Sequence, residues 1–151
     1  MRAIIISFIL LSVSACMATG PNFVSLNDPA NGSSGVYIMR QSAFVGAAYC
    51  PPVSIDNTNI GCLKNGGYLY KELAPGKHEL RFERRLLEIG KDTFVNFNIN
   101  NGETMFFEWS TWINDVYVVG PIAGVTGSDG VKPHNKESAL KLLPSLKSHN
   151  K

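Results

Sequence analysis

The sequence predicts a single mainly β domain, an antiparallel β-sandwich or barrel of about seven to nine short strands with one short C-terminal helix. Strand-like segments recur every eight to twelve residues, with turn-forming residues between them, which is typical of such folds. The 151 residues suffice for one domain with a hydrophobic core and are too few for two ordinary domains. Because 44% of the residues are hydrophobic, the chain is not disordered, and a net charge of only +2 argues against a nucleic-acid binder.

The N-terminus has the pattern of a signal peptide. Arg2 supplies a positive charge, and the eleven residues of segment 3–13 are almost wholly apolar. Eleven helical residues span about 16 Å, roughly half of the hydrocarbon core of a membrane. The segment is therefore too short for a transmembrane helix and fits the hydrophobic region of a secretory signal.

Residues 13–16, Val-Ser-Ala-Cys, resemble a bacterial lipobox, in which small residues precede an invariant cysteine. The resemblance implies that residues 1–15 are removed and that Cys16 is acylated on its thiol and on its new amine, which anchors a protein stably in a membrane. By similarity to enterobacterial sorting, Met17 after the cysteine implies the outer membrane, and we expect the domain to face the periplasm. The alternative is an ordinary secretory signal with a chance cysteine.

The cysteine count predicts one disulfide. If Cys16 is acylated, Cys50 and Cys62 remain as a pair in an oxidising compartment, where a bridge would stabilise the fold by about 3 kcal/mol. A hairpin turning at residues 57–58 would instead place Cys62 opposite Val53, about 10 Å along the strand from Cys50. Two buried free thiols are therefore the alternative. Two cysteines without a nearby histidine fall short of a zinc site, and we expect no metal or cofactor.

The remaining chain divides into three parts. Residues 16–34 contain several turn-formers with little to pack and predict a flexible tether. Residues 35–147 form the β-sandwich domain, and residues 148–151 form a tail.

The strands follow from alternation and turn residues. The clearest segment is 77–83, where His78, Leu80 and Phe82 alternate with charged residues after a Pro-Gly pair that fits a type II turn. An Asn-Gly pair at 101–102 predicts a hairpin between segments 95–100 and 105–110. The other strand segments are 36–40, 53–62 (a hairpin), 67–73 and 115–119.

The C-terminal part predicts a loop and then a helix. Residues 120–135 are glycine-rich and predict irregular structure. A short helix follows over residues 136–143, with Asn135 as its N-cap and with Leu140 and Leu143 facing the core. Pro144 disturbs the end of this helix.

Four short segments of the strand region carry a resemblance. They are Val36-Tyr37-Ile38-Met39-Arg40, Val53-Ser54-Ile55-Asp56 with Ile60-Gly61, Gly67-Tyr68, and Leu73-Ala74-Pro75-Gly76-Lys77-His78. Together they resemble the uncharacterised bacterial domain-of-unknown-function family two-eight-four-six over about residues 35–110. The resemblance implies a small envelope protein and brings no catalytic residues. The last segment also resembles the turn of PEGA-type modules, which implies a β-sandwich.

No catalytic set is evident in the sequence. His78 lies on the apolar face of its strand, where a neutral core histidine bonded to a backbone carbonyl is a commoner role than a catalytic base. The carboxylates of Glu83, Glu88, Asp92 and Glu108 could pair for acid–base work on a glycan, but solvated charges are the simpler interpretation.

The candidate binding residues are Trp112, Arg84 and Arg85. The two arginines belong to a basic cluster with Arg81 and Lys91, which is either a solvated loop or a contact for anionic envelope polymer or lipid headgroups. Trp112 lies past the alternating pattern that places Trp109 in the core, so we expect Trp112 to be exposed.

Two classes of function therefore remain. The first is a non-enzymatic outer-membrane lipoprotein whose partners are the membrane, through its lipid, and an envelope protein or polymer bound by its β domain. The second is an envelope hydrolase or an inhibitor of a cell-wall hydrolase. The absence of a nucleophile–base pair favours the first class, and the Ser-Gly-x-x-Tyr motif of lysozyme inhibitors is not present.

Overall fold

The computed structural model describes residues 16–83, 92–119 and 122–149, which form nine strands in two sheets and one short α-helix. The predicted mainly β sandwich is confirmed, whereas the predicted signal peptide lies outside the described residues. Among the described residues, no helix has the length and apolar character to cross a membrane. The strands are β1 (Ser34–Arg40), β2 (Pro52–Ile55), β3 (Thr58–Cys62), β4 (Gly67–Leu73), β5 (Gly76–Phe82), β6 (Thr93–Ile99), β7 (Thr104–Val119), β8 (Ile122–His134) and β9 (Lys147–Ser148), and helix α1 is Lys136–Leu142, followed by a 3₁₀ turn at Leu143–Ser145.

The main core lies between the two sheets. The first sheet has the strand order β8-β7-β1-β4-β9, and the second has the order β3-β2-β5-β6. Strand β1 is central in the first sheet and is buried along its whole length. It pairs antiparallel with β4 but parallel with β7, so the first sheet is mixed and not purely antiparallel as predicted. The largest fully buried side chains of this core are Trp109, Phe82, Phe107, Ile38, Leu63, Leu69, Leu80 and Ile99.

The Asn101-Gly102 turn does not close a hairpin, so that prediction is wrong. Gly102 adopts the left-handed backbone expected of it, with φ of 74°, but β6 pairs with β5 in one sheet and β7 pairs with β1 and β8 in the other. The Gly102 N–H donates to the Ser33 carbonyl at 2.9 Å, and the Gly35 N–H donates to the Glu103 carbonyl at 2.9 Å. The turn is thus fixed beside the start of β1, and the chain crosses there from one sheet to the other.

The glycine-rich segment is a strand. Residues 104–119 are continuous as β7, and residues 122–134 pair with them as β8, where the sequence predicted an irregular loop. Cross-strand hydrogen bonds along this long pair offset the entropy that glycine loses in a strand. Gly130 also has a packing role, because a Cβ at this position would lie 2.8 Å from the ring of Trp112.

The N-terminal segment packs against the outer face of the first sheet, which corrects the prediction that residues 16–34 have little to pack. Ala18 is buried, and the Phe23 N–H donates to the Leu146 carbonyl at 3.1 Å. The ring of Phe23 also packs edge-on against Tyr37, with 6.3 Å between centroids. Because most of this segment consists of turn-forming residues, the sequence did not indicate that its one aromatic residue, Phe23, packs against the sheet.

Helix α1 covers the same outer face. Its predicted N-cap is confirmed, since the Asn135 side chain accepts the Ser138 N–H at 2.8 Å. Ala139 and Leu143 are fully buried, but Leu140 is 39% exposed, so the prediction that Leu140 faces the core is wrong. Ala139 and Leu143 lie four residues apart on one helix face, whereas Leu140 is rotated by about 100° from Ala139.

Cys50 and Cys62 form the predicted disulfide, with 5.4 Å between their Cα atoms. Two features remove the geometric objection to it. The β2–β3 turn is at Asp56-Asn57, one residue earlier than predicted, and both residues are left-handed, with φ of 50° and 63°. A register shift then occurs between Val53 and Ser54, and Cys62 lies opposite Pro52. These two shifts bring Cys62 within reach of Cys50.

Candidate binding site

An open depression of about 620 Å³ lies beside the β2–β3 turn, and it contains the strand histidine. Three elements form it, namely this turn, strand β5 and strand β6. We call it the His78 depression, and its lining residues are Asp56, Lys77, His78, Glu79, Asn96, Phe97 and Asn98.

Both ring nitrogens of His78 are hydrogen-bonded. Nδ1 lies 2.6 Å from Oδ2 of Asp56, and Nε2 lies 2.8 Å from the carbonyl oxygen of Ala74. Because a carboxylate and a carbonyl are both acceptors, both bonds are satisfied together only by the protonated ring, which donates from both nitrogens. The side chain is 11% exposed, and its ring packs against Phe97. The predicted carbonyl bond is therefore present, but the additional bond to Asp56 favours the charged ring over the predicted neutral one.

The Asp56–His78 pair shifts both pKa values toward the charged forms. Burial by itself lowers the pKa of His78, but the hydrogen bonds to Asp56 and Ala74 and the charge of Asp56 outweigh it and raise the pKa above the ordinary 6.5. Burial by itself raises the pKa of Asp56, but the hydrogen bonds from His78 and the Glu79 N–H and the charge of His78 lower it below 3.8. The two groups thus stabilise each other as an ion pair.

The β2–β3 turn holds Asp56 in place. The Asp56 N–H donates to the Glu79 carbonyl at 3.0 Å, and the Glu79 N–H donates to Asp56 Oδ1 at 2.9 Å. Sequence reasoning missed Asp56, which lies 22 positions from His78 and has the ordinary signature of a turn former. Only the pairing of β2 with β5 brings the two residues together.

The rim of the His78 depression offers hydrogen-bond donors. Lys77 lies opposite Asn98 on the neighbouring strand, and all three of Lys77, Asn96 and Asn98 are exposed. Glu79 is neutralised by Arg81, whose guanidinium donates to it at 2.6 Å. Lys77 has no ion-pair partner within the described ranges, so its ammonium group is available to a ligand.

The predicted binding residues are only partly placed by the structure. Trp112 is 49% exposed, which confirms its predicted exposure, and Trp109 is buried as predicted. Arg84 and Arg85, with Lys91 of the same basic cluster, lie outside the described residues. The remaining member, Arg81, is paired with acidic side chains.

A second polar cluster lies at the outer face of the first sheet. His134 Nε2 is 2.8 Å from Glu108 Oε2, and the Gln41 amide donates to the other oxygen of Glu108 at 2.6 Å. Glu108 also lines a small cavity of about 210 Å³ together with Arg40 and Ser110. Within the described ranges, no group of three or more histidine, cysteine or acidic residues is placed to hold a metal ion.

Arg40, the last residue of β1, is a buried cation bonded to backbone carbonyls. Its guanidinium donates to the carbonyls of Gly46 at 2.7 Å, Tyr49 at 2.6 Å and Leu63 at 3.1 Å. It also lies 4.8 Å from the ring centroid of Trp109, a cation–π distance. Burial lowers its pKa from the ordinary value. These bonds fix the loop that follows β1.

The fold and its His78 depression define a small β-sandwich domain with an open surface site whose rim carries hydrogen-bond donors. The chain belongs to the family described as "Protein of unknown function (DUF2846)", which matches residues 30–122, more than half of the chain. This confirms the family resemblance, and the match extends from just before β1 to the first residue of β8. No curated protein and no solved structure matches the chain.

Proposed function

We propose that this protein is a lipoprotein, anchored in the bacterial outer membrane through an acylated Cys16, whose β domain binds an envelope protein or polymer without catalysing a reaction. The observation that carries the binding role is the state of His78. Both of its ring nitrogens are hydrogen-bonded within the protein, to Asp56 and to the Ala74 carbonyl, so neither is open to take a proton from a substrate.

The chemistry of the rim favours an anionic envelope polymer as the ligand. Lys77 supplies a positive charge that is unpaired among the described residues, and the amides of Asn96 and Asn98 supply further donors. Such an arrangement binds phosphate, carboxylate or hydroxyl oxygens along a chain, and the strands beneath it keep it rigid.

Capture from crosslinked outer membranes tests this site. We expect the double variant Lys77→Ala/Asn98→Ala to capture less polymer than the natural protein, while Lys71→Ala, which removes an exposed lysine from β4 in the other sheet, captures as much. Equal capture by all three proteins would place the binding surface elsewhere. Thermal unfolding confirms that each variant is folded.

Mass spectrometry of the membrane fraction tests the anchor. We expect Cys16 to be the N-terminal residue and to carry two or three acyl chains, and we expect Cys16→Ser to accumulate as an uncut precursor. A soluble periplasmic protein with a free amine at another residue would contradict the lipoprotein assignment.

An envelope hydrolase is the second candidate, and the Glu108–His134 pair favours it. A hydrogen-bonded carboxylate and imidazole beside a cavity can move protons during hydrolysis. Turnover of peptidoglycan or an ester by the purified protein, abolished in a folded Glu108→Gln variant, would establish this candidate and contradict the binding-module proposal.

A further inference from the structure

The residue expected to carry the lipid is fixed to the body of the domain. The Cys16 carbonyl accepts the Asn65 N–H at 3.0 Å, and the Ala18 N–H donates to the Asn65 carbonyl at 3.0 Å. The thiol itself donates to the Ala48 carbonyl at 2.9 Å. Acylation removes the thiol donor, but the backbone bonds to Asn65 remain, so the acyl chains would leave the protein beside Ala48.

The loop that contains Ala48 is uncharged and apolar. Residues 41–49 read Gln-Ser-Ala-Phe-Val-Gly-Ala-Ala-Tyr and contain no charged side chain. Phe44 is 98% exposed, and its neighbour Val45 is also exposed. Two adjacent exposed apolar side chains on an uncharged loop are typical of a surface that contacts a partner or a membrane.

The loop is held in one conformation. The Arg40 guanidinium donates hydrogen bonds to the carbonyls of Gly46 and Tyr49 in this loop. The buried side chain of Asn65 accepts the Ala43 N–H and donates to the Ala43 carbonyl, both at 3.0 Å. Asn65 thus binds Cys16 through its backbone and the loop through its side chain. Because the loop is already ordered, little conformational entropy is lost when it binds.

We infer that loop 41–49 contacts the phospholipid bilayer into which the Cys16 acyl chains insert, with Phe44 placed at the level of the lipid headgroups. This inference rests on the proposed acylation of Cys16. Once the anchor is inserted, the loop meets the membrane at a high effective concentration, so even a weak contact by Phe44 adds to the anchoring. The absence of charge removes the desolvation cost that a charged loop would meet there.

Site-specific fluorescence tests the inference. In the mature lipoprotein the Cys16 sulfur would be blocked by its lipid and Cys50 would be bridged to Cys62, so Phe44→Cys introduces a unique free thiol. The matched control is Phe94→Cys, which replaces an exposed phenylalanine on β6. Each protein is labelled with an environment-sensitive dye and reconstituted into vesicles of phosphatidylethanolamine and phosphatidylglycerol.

We expect the dye at residue 44 to shift its emission to the blue and to be quenched by spin-labelled lipid, while the dye at residue 94 stays accessible to aqueous iodide. Mass spectrometry of the same samples reports the state of Cys16. If Cys16 is acylated and both dyes are equally accessible to iodide, the loop inference is wrong and the lipoprotein proposal stands. If Cys16 carries no acyl chain, both are wrong.

Discussion

Asp56 joins the β2–β3 turn to strand β5 through His78, with 2.6 Å between Oδ2 and Nδ1. The carboxylate lies in a left-handed turn, and the imidazole lies on the core-facing side of its strand beside Phe97. Both residues of the ion pair line the His78 depression. The ion pair is therefore both a stabilising contact and the main reason for regarding the depression as a binding site.

The stability contributed by this pair depends on pH. The His78 contribution is complete below its unfolded pKa of 6.5 and is lost as pH rises through its higher folded pKa. The Asp56 contribution is present above its unfolded pKa of 3.8 and is lost as pH falls through its lower folded pKa. We expect Asp56→Asn to lower the free energy of unfolding most at pH values between the two unfolded pKa values, where both contributions are complete. The decrease should be about 1 kcal/mol, because Asp56 is half-exposed.

Urea unfolding of both proteins at about pH 5 and about pH 8 measures this effect. The difference in the free energy of unfolding should be smaller at the higher pH. A constant difference, or an NMR titration of His78 with a midpoint below the ordinary value, would contradict the assignment of a charged histidine.

We expect that lysine cannot replace Arg40 without a loss of stability. A lysine has one ammonium group and cannot reach the carbonyls of Gly46, Tyr49 and Leu63 together, so buried acceptors lose their donors. We expect Arg40→Lys to lower the free energy of unfolding by about 2–4 kcal/mol, measured by urea unfolding. Arg81→Lys, at a more exposed ion pair, should change it by less than about 1 kcal/mol. Similar effects of the two substitutions would argue against the role given to Arg40.

The Cys50–Cys62 bridge should stabilise the domain. We expect the double substitution to serine to lower the free energy of unfolding by about 3 kcal/mol, because the bridge restricts the unfolded chain over a loop of this length. Alkylation without reductant should leave Cys50 and Cys62 of the natural protein unmodified, because bridged cysteines have no thiol. Two modified thiols in the native protein would show that the bridge is absent.

The two tryptophans provide a matched pair for the binding role. Trp112→Ala removes a half-exposed ring that packs over Gly130, so we expect weaker partner capture and a smaller loss of stability than for the buried Trp109. Trp109→Ala removes a buried ring and should cost about 3–5 kcal/mol with unchanged capture per folded molecule. Combining Trp112→Ala with Arg84→Ala and Arg85→Ala should weaken capture further. Undiminished capture by the triple variant would remove these residues from the binding surface.

Much of the candidate site could not be predicted from the sequence. His78 was placed correctly on the core-facing side of its strand, since alternation reports the face of a residue directly. The charge of His78 could not be predicted, because it depends on Asp56 in a distant turn. The exposure of Phe44 was likewise not visible, since an apolar stretch looks the same in sequence whether it is a buried strand or an exposed loop.

The sequence by itself determined the local features of this protein: the alternation of β5, the Asn135 cap of α1, and the left-handed glycines at the Pro75-Gly76 and Asn101-Gly102 turns. Each depends on backbone preferences and neighbours a few residues away. Only the tertiary structure decided that β7 runs parallel to β1, that the glycine-rich segment pairs as β8, and that Asn65 binds both Cys16 and the loop at Ala43. These features depend on the register and packing of segments far apart in the chain, where one position of slip moves a side chain to the opposite face of a sheet.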